Sequence, residues 1–359
     1  MPRGGIKAMD FKFYLTEHIK KHPSVMPQDI IKACYQSVLG AEHLVCDVSA
    51  AKKNFDAEFE EVLPREGELF EVLSDCVCRV DLGVWKREGL PSNWLFNMFF
   101  ESAKEYRGEI DTLRECIFDA ESVLSGTNVN FSNEEWSDYV ERYISNGMCA
   151  VHHSDEYRKS EEPSYRIVGC RFLNCLPLLL AAAKLPESKD GRPKIIAIDG
   201  RAASGKTTLA DILSKIIGAE KVRMDDFFLP LPLRTSERLA EAGGNIHYER
   251  FAKEVIPDIR EQKAFSYGVF DCGKMEIDGE RFVGESAWRI VEGSYSHHPK
   301  FGDYADLKIF CTVDSEEQMR RITVRNGERL AERFKNEWIP MEERYFSSFN
   351  LRENADIII

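Results

Sequence analysis

No part of this sequence stays apolar for long. The longest such run, Leu176–Ala183, is far shorter than the roughly 20 residues that span a bilayer, so a membrane helix is excluded. Met1–Asp10 is polar and glycine-bearing, and no apolar stretch follows it. A secretory leader is therefore not expected, and the cytoplasm is the expected compartment. The C-x-x-C spacing is missing: ten cysteines are scattered along the chain, most in apolar surroundings. That usage points to reduced, buried thiols rather than a disulfide framework. Cys76 and Cys78, two apart, would share one face of a strand. With no second pair at ligand spacing beside them, a zinc site is the minor reading. Positive charge is also short, 48 Lys and Arg against 61 Asp and Glu, a net charge of −13. A groove that holds nucleic acid by neutralising phosphates is excluded on that balance, although a local basic patch can still take a small anion. Internal repeats and low-complexity tracts are lacking as well.

What is present is a chain of 359 residues, 43 % hydrophobic and 30 % charged, ordinary for a globular protein and long enough for two cores. The segment Pro186-Glu-Ser-Lys-Asp-Gly-Arg-Pro193 is polar, with two prolines and a glycine, and reads as a linker. The expected division is 1–187, mainly helical, and 188–359, an α/β domain. In the first part apolar residues recur at three- and four-residue spacings over Met9–Lys21, Pro27–Leu39, Ala50–Val62, Trp94–Tyr106, Glu109–Leu124, Asn133–Ser145 and Phe172–Leu185. Cys76–Leu82 is its one strand candidate. In the second part strands are expected at Lys194–Asp199, Lys221–Met224, Trp288–Glu292 and Leu307–Val313, and Ala355–Ile359 reads as another. Helices are expected at Lys206–Ile217, His247–Glu261, Ser315–Arg325 and Ile339–Phe349. The alternation predicts a parallel sheet with helices on both faces.

One segment carries chemistry on its own. Ile195–Asp199 is β-branched and leads into Gly200-Arg201-Ala202-Ala203-Ser204-Gly205-Lys206-Thr207-Thr208, a full match to G-x-x-x-x-G-K-[ST]. Glycines at both ends let the backbone turn and approach phosphate oxygens without a Cβ in the way. The intervening N–H groups converge on an anion, and the helix beginning near Lys206 adds its positive end. Lys206 can bridge β- and γ-phosphates, and the Thr207 hydroxyl can ligate Mg2+. ATP and Mg2+ are the cofactors this pattern implies, with residues 200–208 as the ATP-binding loop of a P-loop NTPase-type domain.

From here the chain resembles the uridine kinase and phosphoribulokinase group of P-loop kinases, over about Lys194–Ile359. Four further segments carry the likeness. In Arg223-Met-Asp225-Asp226-Phe227-Phe228 the resemblance implies that Asp225 takes the acceptor proton and lies near the metal, with Asp226 next to it; the alternative is that one of the two, Asp226 by the alternation of a strand end, merely caps the next turn. In Ile290-Val291-Glu292-Gly293 it implies that Glu292 helps hold Mg2+ at a strand end. The arginine-rich stretch from Arg320 to Arg333 matches a lid, and Arg325 and Arg329, flanking Asn326-Gly327, are the expected phosphate contacts; a solvated helix face is the alternative. Substrate contacts fall on Phe228, His247 and Phe270. The carboxylate that would hold ribose hydroxyls is missing from Gly243–Phe251, with His247 nearest its place either as ligand or as a packed histidine. Phe270 stands where the family has a tyrosine.

In the first part, Glu42-His43 and Val151-His152-His153-Ser154-Asp155-Glu156-Tyr157-Arg158 gather polar residues. A metal or anion site from Glu42, His43, His152 and His153 is one reading. An accessory domain for homo-oligomer formation, or for walling the acceptor pocket, is the other. The function expected from the whole is ATP-dependent phosphorylation of a hydroxyl on a small metabolite, a nucleoside first. A sugar phosphate or vitamin precursor kinase and a non-catalytic ATP-sensing module are the alternatives.

Overall fold

The computed structural model describes residues 10–41, 47–105, 108–188 and 190–359. The chain divides after Ala183 into two units. No described helix is long and apolar enough to cross a membrane, and the nine described cysteines are all free of disulfides.

The first unit combines helices with a small antiparallel sheet of β1 (Phe70–Val72), β2 (Val77–Asp81) and β3 (Tyr165–Gly169), in the order β1-β2-β3. The helix Pro27–Leu39 shows how the sequence builds it. Proline starts the helix, the Asp29 carboxylate accepts from the Met26 amide at 3.0 Å, and Ile30, Ile31, Cys34 and Val38 are buried along one stripe. Two expectations change here. Phe172–Leu185 is not one helix but a 3-10 turn over Cys170–Cys175 followed by the helix Leu176–Ala183. Pro177 lacks the N–H that a continuous ladder needs. Cys76 and Cys78 do not share a face, because β2 begins only at Val77; Cys76 is exposed and Cys78 buried.

The second unit is built on β4 (Lys194–Gly200), β5 (Glu220–Arg223), an antiparallel hairpin of β6 (Phe265–Asp271) and β7 (Glu276–Val283), then β8 (Trp288–Glu292), β9 (Leu307–Cys311) and β10 (Ile357–Ile358). Five strands form one parallel sheet in the order β10-β9-β4-β8-β5. β4 lies at its centre, and Ile195, Ile196, Ala197 and Ile198 are all buried, as a strand covered on both faces requires. Register aligns the functional ends: Ile198 and Arg223 both pair with Glu292, and Gly200 pairs with Cys311. The carboxyl ends of β4, β5 and β8 thus open on one side, where ligands bind in sheets of this kind.

The helix expected at His247–Glu261 is divided into Tyr248–Glu254 and Ile256–Ile259, with Pro257 at the break. The hairpin β6–β7 is not evident from the sequence pattern, since most of β7 is solvent-facing. After Gly327, whose φ is 79°, a short helix Glu328–Arg333 and a π-turn Phe334–Trp338 lead into the helix Ile339–Phe349.

Candidate active site

The loop after β4 is fixed by its own backbone. Gly200 has φ 129°, and a Cβ there would lie 1.9 Å from the Cys311 carbonyl oxygen, so only glycine fits. Gly205 has φ 97° but open space around it. The Lys206 ammonium, buried, donates to the Gly200 and Arg201 carbonyls at 2.7 and 2.8 Å. Gln318 donates to the Ala202 carbonyl at 3.0 Å, and Arg321 to that of Ala203 at 3.1 Å. Four successive loop carbonyls, Gly200 to Ala203, are therefore each held by a side chain. Ser204 lies in the same loop with its hydroxyl buried and without a hydrogen-bond partner.

These residues line one side of a cavity of about 660 Å3, within the size range of small-molecule sites. On the same wall the Thr207 hydroxyl donates to Glu292 Oε2 at 3.2 Å. Asp225 opens into the cavity from the 3-10 turn Met224–Phe227. Protein packed around its other sides pushes its carboxyl above the usual aspartate value, with Lys206 pulling the other way. Burial raises Glu292 too, and the charge of Asp225 adds to it. Two carboxyls beside a hydroxyl make a set of hard oxygen donors suited to Mg2+. Asp226 is committed elsewhere. It is buried, accepts from Arg281 Nε at 2.7 Å and from the Tyr267 hydroxyl at 3.1 Å, and its backbone carbonyl accepts from Arg250. Residues of the hairpin thereby anchor the neighbour of Asp225.

Around the rest of the cavity the structure differs from the residue set the sequence suggests. Phe228 lines it, and so does Arg325. Arg329 is exposed and does not; the lining arginines of the lid stretch are Arg321, Arg325 and Arg333. Arg201 belongs to the loop, but its guanidinium turns to the Val313 carbonyl, Ser315 and Glu343. His247 does not reach the cavity: it precedes the helix Tyr248–Glu254 and meets Glu249 at 3.1 Å. Phe270 is buried in the hairpin and is also not part of the lining. In their place the wall near Asp225 carries Arg234, Asn245, Cys272, Met275 and Tyr295. Phe334 and Trp338, packed edge to face at 4.5 Å, border the other end. Tyr295 has φ 79°, a strained value for a bulky residue, two positions after Gly293, whose φ is 127° and whose added Cβ would strike Met224.

Glu342 has no sequence signal at all. Its carboxylate accepts from the Ala202 amide at 2.9 Å and from the Ser294 hydroxyl at 2.7 Å. Burial raises its pKa, with the nearby Lys206 opposing. Of the polar residues noticed in the first unit, Glu42 and His43 lie outside the described residues. His153 is buried and pairs with Asp29 at 2.8 Å and with the Tyr165 hydroxyl at 2.6 Å, which leaves its ring no free nitrogen for a metal.

A parallel sheet whose central strand ends in this glycine loop, capped by the helix Lys206–Ile217, defines an α/β fold of the P-loop NTPase type. No protein-family model matches the chain, and no curated protein matches it. Among solved structures, a possible uridine kinase from Bacillus stearothermophilus is similar at 16 % identity and a TM-score of 0.41, over 53 % of this chain and 99 % of that one. A candidate fructose transport system kinase from a Silicibacter species is similar at 21 % identity and a TM-score of 0.41, over 52 % and 97 %. Likenesses at that level add nothing to what the strand order and the loop already define.

Proposed function

We propose that the second unit is an ATP-dependent kinase that phosphorylates a hydroxyl of a small metabolite. The observation that carries this reading is the meeting of the phosphate loop, Thr207 and Glu292 with the open carboxyl of Asp225 in one cavity. The glycine loop that lines the cavity, the unpartnered Ser204 hydroxyl, the helix start at Lys206 and its ammonium suit a triphosphate. Thr207, Glu292 and Asp225 would hold Mg2+, which when bound supplies positive charge against the phosphate oxygens. Asp225 accepts the proton as the acceptor oxygen forms its bond to the γ-phosphorus; the bond to the β-γ bridging oxygen breaks and ADP leaves. Lys206 turns from the loop carbonyls to the charge spreading over the transferred group. Arg321, Arg325 and Arg333 close on the phosphates with their planar forks.

The acceptor end supports two readings. Phe228, partly buried and lining the cavity, favours a nucleoside base. Arg234 favours an acceptor that already carries an anionic group, such as a sugar phosphate. The test is to follow ADP release from Mg·ATP with nucleosides, sugars, sugar phosphates and vitamin-type alcohols as acceptors. Release stimulated by one class names it. Slow release that every acceptor leaves unchanged would overturn the kinase reading in favour of an ATP-sensing module.

A further inference from the structure

In the first unit two histidines and two carboxylates converge. His18 and His22 are four residues apart at the end of the helix Phe11–Lys21, with ring centroids 4.6 Å apart. Glu71, on β1, reaches His18 Nδ1 at 3.0 Å. One donor atom from each of His18, His22 and Glu71 lies within 4.8 Å of the others. That spread closes to a first coordination sphere with small side-chain movements, since nitrogen and oxygen bonds to zinc are about 2.0–2.2 Å.

The surroundings go beyond what a pair of hydrogen bonds needs. Glu161 meets His22 Nδ1 at 2.6 Å and is itself held by Ser24 at 2.7 Å. A carboxylate in that relation orients a metal-ligating imidazole. Tyr14 and Tyr157 approach the two ring nitrogens of His18 at only 3.3 and 3.4 Å, long contacts that yield to a metal more readily than the 2.6 and 2.8 Å bonds that occupy His153. Beside this group lies a cavity of about 340 Å3, lined by His22, Glu71, Arg79, Tyr157, Glu161 and Tyr165 among others. Three protein donors with an open side are the pattern of a metal site that can take a further ligand. Glu71 and Glu161 bring two carboxylates to an incoming dication, with the Arg79 guanidinium, paired to Glu71 at 3.2 Å, opposing it.

We infer that His18, His22 and Glu71 form a site for a transition-metal dication, zinc being the probe of choice, with Glu161 orienting His22 and one face open to the adjoining cavity. The site is independent of the phosphate loop.

The test uses the full chain, stripped with a chelator and free of nucleotide. It is titrated with Zn2+, read by a competing indicator, and with Co2+, read by visible absorption. One equivalent per chain is expected, with Co2+ bands of a nitrogen and oxygen sphere. His22→Ala and Glu71→Gln should each weaken binding at least about 10-fold, while Asp225→Asn, at the other site, leaves it unchanged. Both substituted side chains are partly exposed, at 28 % and 32 %, and circular dichroism checks that the variants fold. If either does not, the wild-type chain decides: Tm should rise with one equivalent of Zn2+. Binding well below one equivalent, binding that both variants retain, or a wild-type Tm indifferent to Zn2+ would each overturn the assignment.

Discussion

The Glu342 carboxylate accepts a hydrogen bond from the Ala202 amide at 2.9 Å, so a buried acid from the last long helix leans on the phosphate loop. Glu342→Ala would leave that amide unpaired and deprive the Ser294 hydroxyl of its nearer acceptor. A loss of about 2 kcal/mol is expected, read from the urea midpoint of the second unit's transition. Glu342→Gln keeps one acceptor oxygen and should lose about half as much. Equal losses would show that the charge, and not the hydrogen bond, holds the loop.

Asp225 and Asp226 are adjacent but placed oppositely, one open to the cavity and one tied to Arg281 and Tyr267. Asp225→Asn should lower phosphoryl transfer by about 100-fold or more while nucleotide binding survives. Asp226→Asn should instead lower stability by about 1–3 kcal/mol, since it uncouples a buried, charge-assisted set. Turnover and nucleotide binding, measured on both variants, separate the two roles.

The two glycines that bound the loop should respond differently to alanine. At Gly200 a Cβ meets a carbonyl oxygen at 1.9 Å and the φ of 129° is unsuited to any side chain. Gly200→Ala should cost about 3 kcal/mol or more, or prevent folding. At Gly205 only the φ of 97° is unfavourable, and alanine should cost about 1–2 kcal/mol. Denaturant unfolding of the two variants ranks them.

Burial holds His153 down to about 4, against the hydrogen bond to Asp29 that pulls it up. The folded state therefore prefers the neutral ring. Its contribution is fully present above the ordinary histidine value of about 6.5 and is lost as pH falls from there toward 4. The decline should reach up to about 3 kcal/mol at pH 4. Burial lowers His298 to about 4 as well, with the same sign in the second unit. Urea midpoints at pH 7, 6, 5 and 4 should fall in the wild type and flatten for the first unit in His153→Gln.

The strand, loop and helix around Gly200–Thr208 are legible in the sequence because they are local. A β-branched run, glycines at fixed offsets and an amphipathic stretch lie within about two dozen residues. The lid is legible only as a cluster. Which arginine faces the cavity depends on helix phase, and Gly327 interrupts that phase between Arg325 and Arg329. Arg321 and Arg325 share a face at four-residue spacing, whereas Arg333 returns to the cavity through the short helix that follows. The hairpin is obscured because β7 buries little of its length and so carries no strict alternation. The displacement of Phe270 from the cavity follows from it: Phe270 packs within β6, and Cys272 and Met275 of its turn take the wall instead. Glu342 could not be found at all, since its partners Ala202 and Ser294 lie 140 and 48 residues earlier in the chain.

The hairpin also separates two tasks that engineering would want apart. Tyr267 and Arg281, on its strands, secure the neighbour of Asp225, whereas Cys272 and Met275, at its tip, line the cavity. Libraries that randomise the tip and leave both anchors untouched should therefore shift acceptor preference without disarming the chemistry.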